Sequence, residues 1–128
     1  MAKRLYKQQV NTVRSQIVNI DNGAGTTLDE ALFNVGSKGG QIVRVYALYN
    51  EAAGTVAGAN FKLGSSAGGA QYVAATAYTD SAAVGAVTSA TLVEDTIPAN
   101  GTVFLRHTGI ATTAAGQMFI CVEWISNG

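Results

Sequence analysis

The feature that most restricts the fold is punctuation. From about Val13 onward, short β-type runs rich in Val, Ile, Thr, Tyr and Phe alternate with clusters of Gly, Asn, Asp, Ser and Ala, and no long stretch keeps a helical period. The runs fall at 13–20, 27–35, 41–49, 59–65, 71–78, 87–94, 102–108 and 117–125. This spacing predicts an all-β fold: a single β-sandwich, jelly-roll-like, of about eight short antiparallel strands with a basic N-terminal arm. Residues 1–12 read as the arm and 13–128 as the sandwich domain. Two regions stay open. In 27–35 the residues Leu28, Ala31, Leu32 and Val35 also sit at helical spacing, with Asp29 and Glu30 suited to a first turn, so a short helix competes with a strand. The stretch 64–85, rich in Ala, Gly and Ser, has too weak a pattern to fix its register.

Turn chemistry supports the strand reading. Asn22-Gly23 and Asn100-Gly101 can supply the positive φ angles that tight turns need, and Pro98 stands outside any expected strand.

Sorting the runs by period two shows where partners could bind. In 117–125, Met118, Ile120, Val122 and Trp124 share one face, while Phe119, Cys121 and Ile125 surround Glu123 on the other. Both faces are apolar, so this strand lies centrally under other elements or lends its second face to an interface. In 41–49, Val43, Val45, Ala47 and Tyr49 suit a core, and Ile42, Arg44, Tyr46 and Leu48 form an amphipathic second face. Arg and Tyr are favoured at interfaces. Loops of the same domain could equally cover these faces.

Charge points the same way. The chain carries 8 basic and 8 acidic residues for a net charge of zero, and only 12% of it is charged against 48% apolar. A free monomer with so few charges has weak colloidal protection, which suggests a surface covered by partners in the working state. Lys3, Arg4, Lys7 and Arg14 are half of the basic residues, and no acid precedes Asp21, so the N-terminus is a basic arm, either solvated or docked on a neighbour. No secretory signal or membrane-length apolar run is present in the sequence. The candidate partner-binding residues are therefore Lys3, Arg4, Tyr6 and Lys7 of the arm, with Arg44, Tyr46, Leu48 and Trp124 of the strands.

Chemistry finds little support. His107, the only histidine, lies in a strand beside Arg106, and no Gly-x-Ser-x-Gly elbow occurs; His107 reads as a half-exposed strand residue bonded to a neighbour. Cys121, the only cysteine, excludes an intramolecular disulfide and multi-cysteine metal sites, and it reads as a small buried hydrophobe. Asp29-Glu30 and Glu94-Asp95 point to opposite faces within a strand, so neither dipeptide makes a carboxylate pair. Gly36-Ser-Lys-Gly-Gly40 has neither dinucleotide nor P-loop spacing, and Asp21-Asn22-Gly23 lacks the repeated ligands of a calcium loop. The expectation is a non-enzymatic protein with no catalytic, metal or cofactor site. Zero net charge, with tyrosines not interleaved among basic residues, argues against direct nucleic-acid binding.

The segment Ile97-Pro-Ala-Asn-Gly-Thr-Val-Phe-Leu-Arg-His107, followed by Ala115-Gly-Gln-Met-Phe-Ile-Cys-Val-Glu-Trp-Ile125, resembles the last strand pair of small β-sandwich virion proteins of tailed bacteriophages. The low charge, abundant Ala, Gly and Thr, and basic arm are similar to those of jelly-roll capsid decoration (cement) proteins. The resemblance implies a structural protein made in the host cytoplasm and carried on the virion's capsid exterior. There it would bind a major capsid protein through the arm and an apolar sheet face, and form a homo-oligomer, dimer or trimer, with no membrane contact. No family site residues carry over. Two alternatives stand beside it: a receptor- or carbohydrate-binding sandwich using Tyr72 or Tyr78 beside Asp80, and a head–tail or minor shell component.

Overall fold

The structure is a computed structural model and describes residues 9–21, 26–110 and 115–128. These residues form ten strands and no helix: β1 Val10–Arg14, β2 Val18–Asn19, β3 Thr27–Asn34, β4 Gly40–Glu51, β5 Asn60–Gly64, β6 Val73–Ala77, β7 Val87–Ser89, β8 Thr96–Ile97, β9 Thr102–Thr108 and β10 Gln117–Ser126. The run expected at 13–20 divides into β1 and β2, with β1 starting three residues earlier at Val10, and β8 is an addition. The segment 27–35 is a strand and not a helix.

Two antiparallel sheets stack as a sandwich. The first runs β1-β10-β4-β7, with β2 also on β10 and β8 on β4; the second runs β3-β9-β5-β6. The pairing is nested: β1 with β10, β3 with β9, β4 with β7, β5 with β6. A long hairpin folded back on itself and wrapped over two sheets has this wiring, so the fold is a jelly roll. The likeness needs no special residues, only strands that alternate between layers.

The core lies between the sheets. From the first come Ile42, Val45, Ala47, Tyr49, Met118, Ile120 and Val122; from the second come Phe61, Leu63, Val103 and Leu105, all buried. Strand β9 shows the cause plainly: in TVFLRHT the alternate positions Val103, Leu105 and His107 are buried and their neighbours are not. Each fully buried Leu or Phe contributes about 1.5–3 kcal/mol relative to exposure.

Bulges break the alternation elsewhere. On β4, Arg44 pairs with Glu123 and Ile42 with Trp124, which leaves Val43 as an extra residue. The simple period-two sorting therefore fails at this point: Ile42 is buried and Val43 is 48% exposed, the reverse of the expectation. On β3 a similar irregularity at Leu32 turns Phe33 inward opposite Val103. That bulge also explains the helix-like spacing, since it converts a two-residue step into a three-residue one.

At the Asn100-Gly101 turn, Asn100 has φ 61° and the Gly101 amide donates to Pro98 O at 2.9 Å, as the turn chemistry predicts. Asn22-Gly23 lies outside the described residues.

Candidate functional site

The strands place one broad surface, the outer face of the first sheet, on a platform of four neighbouring strands, β1, β10, β4 and β7. Cross-strand partners share a face, so Arg14, Cys121, Tyr46 and Ser89 form one row, and Phe119, Leu48 and Val87 form the next. Thr12, Glu123 and Arg44 complete a third row. Tyr46, Leu48 and Phe119 are half-buried, Val87 is exposed, and Cys121 is buried beneath its neighbours.

Two arginines cover the rings of this face. The Arg14 guanidinium lies 4.2 Å from the Phe119 ring centroid, and that of Arg44 lies 4.2 Å from the Tyr46 centroid. Arg44 also approaches Glu123 at 3.8 Å. Burial pushes the Tyr46 hydroxyl above its ordinary value, and the neighbouring Cys121 and Glu123 add to the shift. Burial likewise raises the Cys121 thiol, with the Tyr46 hydroxyl, Arg14 and Arg44 opposing. The thiol is thus held protonated, the inert state of a buried cysteine. An apolar centre rimmed by arginines that stack on aromatic rings is the composition of a protein-binding surface.

Of the expected partner-binding residues, Arg44, Tyr46 and Leu48 come together on this platform. Trp124 does not join them: it lies on the inner side, its ring stacked on Phe33 at 4.9 Å and 18° and packed against Gly40. Its indole N–H is buried with no acceptor among the described residues. Lys3, Arg4, Tyr6 and Lys7 lie outside the described residues. Phe119, Arg14 and Val87 belong to the site but were not among the expected residues, although the alternation of 117–125 already put Phe119 on the same side as Cys121.

The residues weighed for chemistry or sugar binding are otherwise placed. His107 is fully buried, a correction to the half-exposed expectation; it shares the inner row with Val103 and Leu105. It hydrogen-bonds Tyr78 Oη through Nδ1 at 2.6 Å and Asn19 O through Nε2 at 2.7 Å. Tyr72 and Tyr78 are 2% and 5% exposed, so neither offers a ring to a sugar, and the Asp80 carboxylate accepts the Val56 amide at 2.8 Å. Among the described residues no group of three or more His, Cys, Asp or Glu is arranged to hold a metal ion.

A solved structure described as the capsid asymmetric unit of cyanophage Pam1 is similar to this chain. The match covers 98% of this chain and 91% of that one, with a TM-score of 0.64 at 17% sequence identity. No protein-family model matches the sequence, and no curated protein does. At this identity the shared property is the fold, and the coverage extends it over both sheets.

Proposed function

We propose that the chain is a non-enzymatic structural protein of a phage virion, binding the outside of a capsid shell and stabilising it through subunit–subunit contacts. The observation that carries this reading is the outer face of the first sheet, where Tyr46, Leu48, Phe119 and Val87 lie side by side under Arg14 and Arg44. Its placement on a virion draws on the fold neighbour, whose description is a phage capsid, and on the low charge of the chain. The partner is a major capsid protein, the working form is a homo-oligomer, and the basic arm adds a second anchor. Buried Tyr72 and Tyr78 leave the carbohydrate-binding alternative without its binding residues.

The test is co-sedimentation of the purified protein with capsid shells prepared without it. Replacing Tyr46→Asp and Leu48→Asp together should weaken attachment about a hundredfold or more while circular dichroism stays unchanged, because charge at the centre of an interface must be desolvated. Undiminished attachment by this variant would remove the face from the mechanism. Deleting residues 1–8, which spares β1, examines the arm separately. Copy number in purified particles distinguishes a shell protein, present in proportion to shell subunits, from a connector confined to one vertex.

A further inference from the structure

His107 is a buried side chain that links the two sheets, with hydrogen bonds at both nitrogens of its ring. The side chain comes from β9 in the second sheet, Asn19 O belongs to β2 in the first, and Tyr78 follows β6 in the second. A carbonyl oxygen can only accept, so Nε2 carries the proton. Nδ1 is therefore bare and accepts from the Tyr78 hydroxyl. The ring is neutral, with both nitrogens satisfied, and its exposure is 0%.

Adding a proton turns this arrangement against itself. Nδ1 becomes a donor facing another donor, and the Tyr78 oxygen can accept only by turning its own proton away from the ring, its hydrogen-bond partner among the described residues. A buried cation is left, and no carboxylate among the described residues is hydrogen-bonded to it. Of the charged groups on the surrounding elements, Glu30 shares the inner side of the second sheet, on β3 across from Leu105 and two residues from Leu28, the partner of His107. Arg106 and Lys62 sit on the outer side of the second sheet, where Arg106 holds Asp29. Glu30 accepts the Gln16 amide, Asp21 beyond Asn19 is exposed, and Asp80 beyond Tyr78 is bonded to the Val56 amide. Tyr78 itself is held neutral by burial, beside Tyr49.

We propose that His107 is an acid-sensitive latch between the sheets, which holds β2 against the second sheet while neutral and releases it when the ring takes up a proton. Release loosens the end of β10 as well, since Val18 and Asn19 pair with Met118 and Gln117. The sheet that carries the docking face thus loses an edge segment on acidification.

Burial lowers the His107 pKa below its ordinary 6.5, opposed by the bond to Asn19. Below 6.5 the unfolded chain binds a proton that the folded chain refuses. Stability is full above that pH and falls as pH drops toward the folded value, by up to about tenfold in the folding constant per pH unit. The Asp29 carboxyl, held low by its hydrogen bonds to Arg106, acts only around and below its ordinary 3.8, so its window lies apart from that of His107.

The experiment uses the fact that this is the chain's only histidine. Nitrogen NMR of the wild-type ring at pH 7.5 should report the Nε2–H tautomer. On acidification the ring should stay neutral through pH 6.5, and amide protection of Val18–Ile20, corrected for intrinsic exchange, should fall before that of β5. A ring that titrates near 6.5 with the fold intact, an Nδ1–H tautomer, or a uniform loss of protection would each overturn the latch. His107→Gln retains a donor for Asn19 and cannot titrate; in urea unfolding its stability should be flat between pH 6.5 and 5. A slope as steep as wild type would also overturn the proposal. The wild-type NMR decides the matter should that variant not fold.

Discussion

The outer faces of the two sheets are built from similar strands and finished differently. On the second sheet, Asp29, Arg106 and Lys62 form a charged row across β3, β9 and β5, with Asp29 and Arg106 joined by two hydrogen bonds of 2.7 and 2.8 Å. The loop after β5 then folds over this row: a Cβ on Gly68, which has φ +78°, would lie 2.7 Å from Arg106 Nη1. Its own chain closes that face. On the first sheet the equivalent positions are Phe119, Leu48, Tyr46 and Val87, and only two arginine side chains lie over them. The difference teaches that low charge is not spread evenly over this molecule. On the second sheet a loop lies against Arg106, and on the first two arginines lie over aromatic rings.

Opening the cover of the second sheet should have the largest effect on this contrast. Gly68→Ala forces a side chain into a left-handed backbone and against the Arg106 guanidinium, and should cost about 1–3 kcal/mol in urea unfolding. On the proposed reading it should leave attachment to shells unchanged, because docking uses the first sheet. A smaller effect is expected from Arg44→Ala on the first sheet, which uncovers the Tyr46 ring and removes about 0.5–1 kcal/mol of cation–π attraction. Here attachment, read by co-sedimentation, should weaken more than stability does.

The smallest effect belongs to Asp29→Asn. The Arg106 hydrogen bonds hold the Asp29 carboxyl below its ordinary 3.8, so the pair stabilises above that pH and its contribution is lost as pH falls through the folded value. Because the pair is partly exposed, the substitution should cost only about 0.2–1 kcal/mol at pH 7, and wild type and variant should converge in strong acid. A larger cost would mean that the charged row, and not the loop, holds the second face together.

What the sequence made legible follows from where alternation is unbroken. TVFLRHT in β9 alternates strictly between buried and half-buried residues, and in β10 Met118, Ile120 and Val122 share the inner face, with Cys121 buried as expected, whereas His107 was expected half-exposed and is buried. Val43 and Leu32 are bulges, and a bulge leaves no compositional mark here, so Ile42 and Val43 were sorted to the wrong faces and β3 looked partly helical. Burial of Tyr72 and Tyr78 was hidden for another reason: the Ala/Gly/Ser stretch around them has no pattern, and tertiary packing alone decides their side. His107 could have been found, because it continues the Val103, Leu105 series. Tyr46 and Leu48 were legible as residues of the outer face, but Trp124 was drawn in by residue type when its parity with Ile120 and Val122 placed it inside.

The nested pairing has a consequence for how the protein comes into being. Strand β10 lies between β1 and β4, so the docking sheet cannot close until residues 117–126 have emerged from the ribosome. β1 and β2, whose partner is β10, wait unpaired across a loop of more than a hundred residues between Val13 and Val122, and joining such distant segments is slow. A chain that stops before residue 117 therefore lacks the strand that joins β1 to β4, and its first sheet stays divided.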